Sequence, residues 1–469
     1  MKVNFFLFSF ILSSLFNGGE CYKIIKNDWF KSSWKNKNPI QIPIYKDEIF
    51  LKEIQQKLQQ KPPLIFAEES NTLKQDLKLA GYGKNFLLMG GDCAETFDTD
   101  VNKVKNLYKI ILQMGIILTH SSGKKSIKIG RIAGQYAKPR SNDVEIVNEH
   151  EYMVYKGDII NSIQLNNRIP DPSRMLDAYH HSSQTLNILR AFSSGGFAHL
   201  ENLENWKSDY YQDDDIIYKK YNKTIKSIQQ SINFMKGLDV NLKNPLFSQT
   251  TLYTGHECLL LPYEEQFIRE HQNKSYSCSS HFLWIGDRTN SINSSQIEFV
   301  RGIENPIGLK VSSNTNPNEL VKIINLLNPE NEMGKITLIT RFGHTKINRY
   351  LPIFINLIEK HKLNVVWCCD PMHGNTFSVS NIKTRSLHHI KKELDNFFKI
   401  HYSMNTIPAG IHLELTPENV TECIDSHLFS TNSVMSFRDC LEKNYKTLCD
   451  PRLNYRQSLD LVFHLTQNF

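Results

Sequence analysis

Four residues of this chain could together hold a divalent metal ion: Cys93, His373, Glu414 and Asp450. They offer a thiolate, an imidazole and two carboxylates, a mixed set that suits Mn, Fe, Co or Zn better than Mg or Ca. Cys93 follows Gly90-Gly91-Asp92, where glycines permit close backbone approach or positive φ. Taken alone, such a cysteine is more often a small buried residue. His373 closes the run Cys368-Cys369-Asp370-Pro371-Met372-His373, an apolar stretch ending in a polar turn that brings Asp370 and His373 to one rim. Histidine serves there as a ligand or as an acid/base. Glu414 lies in Gly410-Ile411-His412-Leu413-Glu414-Leu415. Strand alternation puts His412 and Glu414 on one face and the aliphatic residues on the other. A glutamate inside an extended run costs free energy unless a cation or hydrogen bond meets it. Asp450 sits in Cys449-Asp450-Pro451-Arg452.

Cations gather in similar settings. Arg131, Lys138, Arg140 and Ser141 belong to one stretch, Gly130 to Ser141; Trp284, Asp287 and Arg288 to another; Lys310 lies inside an extended run and Arg341 ends one. Arginine grips phosphate or carboxylate with two parallel hydrogen bonds, and lysine acts as a point charge. Singly, each reads as the partner of a nearby carboxylate. Their recurrence at the ends of extended runs points to an anionic, phosphorylated ligand.

Distant segments can meet in this way only on a fold that gathers strand ends. Eight short β-rich runs are readable: Phe86–Gly90, Ile127–Gly134, Thr250–Thr254, Phe282–Gly286, Ile307–Val311, Ile336–Thr340, Val365–Cys369 and Gly410–Leu415. Segments of helical period lie between most of them, which implies a parallel sheet, and eight such strands imply a closed (β/α)8 (TIM) barrel with its chemistry at the strand C-termini. Residues 142–247 read as a helical insertion between strands 2 and 3. One helix is expected from Pro172 to Phe192, capped by Asp171, and another from Ile216 to Lys236. Residues 21–85 read as an N-terminal extension, with Trp29 and Trp34 in a docked arm and a helix from Asp47 to Gln60 ended by Lys61-Pro62-Pro63. The catalytic barrel then spans 86–469.

Composition narrows the class. The 469 residues are 40% hydrophobic and 22% charged, enough for a large core. The net charge of +7 is spread without a basic run interleaved with aromatics, so nucleic acid is not an expected partner. Nine irregularly spaced cysteines exclude a regular disulfide framework. Lys2 followed by the apolar run Phe5 to Phe16 makes residues 1–20 a signal-like segment, too short to span a bilayer comfortably. No other segment reads as membrane-spanning.

The runs GGDCAETF, GRIAGQYAKPRS, YKGDIIN, DPSRMLDAY, WIGDRT, RGIENPIGLKVS, CDPMHGNT, GIHLELTPENVTEC and CDPRLN occur in order along residues 25–469. In them the chain closely resembles the class II (plant-type) 3-deoxy-D-arabino-heptulosonate 7-phosphate synthases. The resemblance implies condensation of phosphoenolpyruvate with erythrose 4-phosphate, the first step of the shikimate pathway. It implies a divalent metal, manganese before cobalt, iron or zinc, on Cys93, His373, Glu414 and Asp450. It places phosphoenolpyruvate against Arg131, Lys310, Arg341, Arg288, Asp287 and Trp284, and erythrose 4-phosphate against Lys138, Arg140, Ser141 and Asp370. It adds Glu257 at the rim, so that catalytic roles fall on Lys310, His373, Asp370 and Glu257. Asp287 stands where the family usually has glutamate. A homo-oligomer is expected. A signal on such an enzyme would lead to a plastid-like organelle, with the cytoplasm as the alternative. Another metal-dependent aldol-type barrel, or an inactive scaffold of the same fold, would share many of these features. Cys449 adjoins Asp450 and is a candidate disulfide partner of Cys93.

Overall fold

Strand alternation decides what the centre of this molecule contains. The structure, a computed structural model, describes residues 28–98, 100–147, 149–207, 210, 212–242, 244, 249–425 and 437–469. The signal-like residues 1–20 lie outside the described residues. The barrel strands, numbered among themselves, are β1 (Asn85–Gly91), β2 (Lys125–Arg131), β3 (Tyr253–Glu257), β4 (Phe282–Ile285), β5 (Ile307–Val311), β6 (Ile336–Thr340), β7 (Val366–Cys369) and β8 (Pro408–Glu414). Each pairs in parallel with the next, and β8 pairs back onto β1, closing the barrel.

Alternate residues face in and out. Phe86, Leu88, Leu283, Ile285, Leu309, Val311, Ile411 and Leu413 join the outer core beneath the surrounding helices. Leu87, Met89, Ile127, Ile129, Phe282, Trp284, Ile339, Val366 and Cys368 fill the interior. Arg131, Lys310, His412 and Glu414 share the inward parity but lie nearer the C-terminal ends of their strands. The interior is therefore apolar at one end and charged at the other.

The apolar end is closed by a second helix of the N-terminal extension, which the sequence pattern alone does not predict. Ala67–Gly81 buries Leu73, Leu77 and Ala80 against Leu87, Met89 and Ile127. The preceding helix is Glu48–Gln59, capped by Asp47, whose side chain accepts from the Phe50 N–H. Trp34 of the arm is buried as expected.

Other expectations shift. β2 ends at Arg131, not at residue 134, and β3 runs Tyr253–Glu257 instead of Thr250–Thr254. The insertion helix is Arg174–Ser194, with Ser173 at the N-cap position. Asp171 instead accepts from the Ser173 N–H and hydroxyl, a turn that ends before the helix begins. A two-stranded hairpin, Val144–Val147 with His150–Met153, precedes it. The helix Ile216–Gly237 packs Ile217, Tyr218 and Tyr221 into the same core as Val104, Leu107 and Tyr108 of the helix after β1, so the insertion shares the barrel's core. No helix among the described residues is long and apolar enough to cross a membrane.

Candidate active site

Gly91 is where the site begins. The register sets it beside Arg131 of β2 on one side and Glu414 of β8 on the other. Its φ of +149° suits glycine, and a Cβ there would lie 2.7 Å from the Arg131 carbonyl oxygen. Arg131 consequently reaches across to Glu414, Nη2 to Oε1, at 3.0 Å. Its Nη1 donates to His412 Nε2 at 2.5 Å, and its guanidinium lies 5.1 Å from the centre of the Trp284 ring. Burial, reinforced by Lys310 and Arg131, holds His412 well below the ordinary imidazole range. His412 is therefore neutral, and Nε2 accepts from Arg131.

Asp370 follows β7, and its N–H donates to the Thr340 carbonyl of β6 at 2.7 Å. One carboxylate oxygen meets both Lys310 Nζ and His373 Nδ1, the latter at 2.7 Å. Burial alone would raise Asp370, but His373 and Lys310 outweigh it and hold the group well below the usual carboxylate range. With Nδ1 donating to Asp370, the neutral ring would offer its Nε2 lone pair to a metal. Nε2 lies 3.2 Å from Glu414 Oε1. Donor atoms of His373, Glu414 and Asp450 all fall within 4.8 Å of one another. An imidazole nitrogen and carboxylate oxygens converging in this way, with the histidine oriented by a second carboxylate, fit a divalent metal. Cys93, the fourth expected ligand, is buried nearby but outside that group. Its sulfur lies 3.5 Å from Thr447 Oγ1, and neither Cys93 nor Cys449 is in a disulfide.

The cavity over these residues has a volume of about 290 Å³ and is lined by most of the expected substrate residues, including Glu257, Asp287 and Arg288. Several cations are already paired. Lys138 Nζ meets Asp450 at 2.8 Å and Glu414 at 3.8 Å, and Arg140 lies 3.7 Å from Glu145. Arg341 lies 3.9 Å from Asp287, and its Nε is buried without an acceptor among the described residues. Arg288 donates to Ser141 Oγ at 3.0 Å. Lys310, Arg341 and Arg288 thus border the cavity where an anion would complete their hydrogen bonding. Glu257 differs from the other carboxylates there: no ion pair is made to it among the described residues. Its carboxylate occupies the space a Cβ at Gly286 would need.

The sequence reading missed the residues that hold this arrangement. Arg385 is fully buried and donates to Glu414 Oε2 at 2.7 Å. Arg452 grips Glu422 through two nitrogens, at 2.7 and 3.0 Å, and Asp92 at 2.8 Å, tying the Asp450 loop to the Cys93 loop. Glu95 accepts the N–H groups of Ala133, Gly134 and Gln135 at 2.7–2.9 Å, shaping the loop after β2 around Ala133, whose φ is +61°. Glu393 accepts from the Phe342 and Gly343 N–H groups and from Asn375, joining the loops after β6 and β7. Only a charged residue at a core-facing helical position, as at Glu393, could have flagged any of them.

The class-II DAHP synthetase family matches residues 29–466. This chain belongs to that family. The phospho-2-dehydro-3-deoxyheptonate aldolase of Neurospora crassa is 39% identical over 461 residues, 94% of each chain. Those of Streptomyces coelicolor and Mycolicibacterium smegmatis are each 37% identical, covering 93% and 87% of this chain and 97% and 87% of their own. The similarity to a solved phospho-2-dehydro-3-deoxyheptonate aldolase from Thermotoga maritima is loose, at 13% identity and a TM-score of 0.31 over 74% of this chain and 66% of that one. The class-II barrel described here therefore rests on its own strand pairing.

Proposed function

We propose that this chain condenses phosphoenolpyruvate with erythrose 4-phosphate to give 3-deoxy-D-arabino-heptulosonate 7-phosphate and inorganic phosphate, the entry to the shikimate pathway, chorismate and the aromatic amino acids. Family membership supports the reaction. The observation that carries it to this site is the double contact of Asp370, which holds Lys310 of the anion pocket and His373 of the convergent donor group with one carboxylate.

His373, Glu414 and Asp450, with Cys93 as the fourth candidate, would hold a divalent metal, manganese before cobalt, iron or zinc, which when bound supplies Lewis acidity at the aldehyde oxygen. The chain's own residues do the rest. Lys310, Arg288 and Arg341 hold the carboxylate and phosphate of phosphoenolpyruvate, and Arg131, fixed by His412 and Glu414, closes that pocket over Trp284. Lys138, Arg140 and Ser141 take the phosphorylated aldehyde. Holding both substrates together lets the methylene carbon of phosphoenolpyruvate attack the aldehyde carbon. Water then adds to the developing cation at C2, and phosphate leaves. Among the described residues Glu257 is the cavity carboxylate not engaged by a cation, so it is placed to take that water's proton. Asp370, locked between Lys310 and His373, is a poor base.

The test is purified protein with Mn²⁺ and both substrates, followed by phosphate release and identification of the seven-carbon product. Absence of both would sink the reading, and an inactive scaffold would then be favoured. We take the working form to be a homo-oligomer, which sedimentation tests, and the address to be a plastid-like organelle, which a fluorescent fusion of residues 1–60 tests.

A further inference from the structure

The N-terminal arm is fastened to one side of the site and reaches the other. Its fixed end lies on the short helix after β4, Ser295–Arg301. Ser33 Oγ donates to Glu298 at 2.6 Å, the Ser295 N–H donates to the Asn38 carbonyl at 3.0 Å, and the buried Gln296 donates through Nε2 to the Ile40 carbonyl at 2.8 Å. At the next residue the chain turns: Gln41 has φ +64°, a left-handed conformation that a residue with a side chain adopts only where surrounding contacts hold it. From there the Gln41 amide makes both bonds to the backbone of Arg140. Nε2 donates to the Arg140 carbonyl at 3.0 Å, and the Arg140 N–H donates to Oε1 at 2.8 Å.

That pairing satisfies the Arg140 backbone as a neighbouring strand would, while leaving its guanidinium uncommitted by the contact. The following residue, Ser141, accepts a hydrogen bond from Arg288. Arg140 and Ser141 are thus gripped between two attachments that both trace back to the segment after β4. The loop after β2 has its own anchors, at Glu95 as far as Gln135 and at Lys138, whose N–H donates to the Lys156 carbonyl at 2.8 Å, but neither reaches Arg140. A glutamine suits this clamp because it offers a donor and an acceptor at the required reach. Asparagine is a methylene shorter, glutamate has no donor, and alanine has neither group.

We propose that Gln41 is a positioning residue for the phosphorylated aldehyde, and that the arm is a strap setting the distance between the loops after β2 and β4. The proposal rests on the condensation proposed above. It separates the two substrates: the strap ends on Arg140, whereas Lys310 lies in β5 and Arg341 directly follows β6.

The test is steady-state kinetics of the full-length metal-loaded protein, wild type against Gln41→Ala and Gln41→Glu, each substrate varied in turn, with thermal melting alongside. We expect KM for erythrose 4-phosphate to rise roughly tenfold, the scale of one lost half-buried hydrogen-bond pair, with KM for phosphoenolpyruvate within about twofold. Unphosphorylated erythrose should be used equally by wild type and variants, since it never engages the strapped loop. A purely structural role would lower the melting temperature and leave KM for erythrose 4-phosphate unchanged, and that result overturns the proposal. So does a parallel rise of both KM values. A wild type with no condensation activity overturns the proposed function itself, and this inference with it.

Discussion

Among the carboxylates of the site, Glu257 is set apart by its neighbours. Glu414 meets Arg131 and Arg385, Asp450 meets Lys138, and Asp370 meets Lys310, whereas Glu257 lies against the bare Cα of Gly286. If it moves the proton of the attacking water, Glu257→Gln should lower kcat by about 10²–10⁴-fold with little change in either KM. Gly286→Ala, whose new methyl displaces that carboxylate, should cause much of the same loss, and a Gly286→Ala enzyme with wild-type kcat would remove Glu257 from the mechanism. Asp370 makes a different prediction. Asp370→Asn keeps the shape but withdraws the charge that orients His373, so metal binding should weaken by about 10–100-fold. Titration of the metal-free protein with Mn²⁺ reads this directly, and an unchanged affinity would mean that His373 is oriented by something else. Residues of this kind were legible where strand parity exposed them. His412 and Glu414 stand out because a charged or polar side chain at every second position of an apolar strand demands a partner. Arg385 does not stand out: in Ile382–Ser386 it alternates with lysine and threonine, and nothing local distinguishes a surface arginine from one buried on Glu414.

At the scale of elements, the strands position the reacting groups and buried carboxylates on neighbouring segments shape the loops. Glu393 sits on Leu387–Ser403 and reaches up to the segments carrying Arg341 and His373. Burial, opposed by its backbone donors, raises its pKa to about 8. Glu393→Ala would leave the Phe342 and Gly343 N–H groups and the Asn375 amide without their acceptor. We expect a loss of about 2–4 kcal/mol in denaturant unfolding and a raised KM for phosphoenolpyruvate through the displaced Arg341. Unchanged unfolding would show that water takes over those donors. The elements themselves were mostly readable, because apolar runs ending in glycine or charge mark barrel strands whatever the intervening chain does. β3 was misplaced by three residues for a physical reason. Gly255, His256 and Glu257 lack β-propensity, and they are strand residues because Glu264 pairs with His256 at 2.7 Å and the cavity accommodates Glu257. The helix Ala67–Gly81 was missed because its buried face is narrow and its surface rich in lysine and glutamate. Only the open end of the barrel gives that face something to cover.

Taken whole, the molecule divides its interior between a dry end that stabilises and a charged end that reacts, and its acid stability is set partly far from both. His401, near the end of Leu387–Ser403, lies in the outer core beside Trp367 and Phe397, with ring centroids 5.3 and 4.5 Å away. Its Nδ1 pairs with Thr406 Oγ1 at 2.7 Å and its Nε2 is buried without a partner among the described residues. Burial alone lowers its pKa to about 3. The sign follows from proton binding. Between about pH 6.5 and 3 the unfolded chain holds a proton on this imidazole and the folded chain does not, so wild-type stability falls as pH falls through that window. Glu393 contributes the opposite slope: its folded state binds the extra proton between about pH 4.5 and 8, and stability falls there as pH rises. The wild-type curve alone therefore cannot isolate His401, but its difference from His401→Gln can. The variant should be less stable at pH 8, where it loses the ring's packing, and should close on the wild type by up to about 1.4 kcal/mol for each pH unit below 6.5. Urea unfolding at pH 8, 6.5, 5.5 and 5 measures that difference, and parallel curves for the two proteins would mean that the folded core admits a proton at His401 as readily as water does.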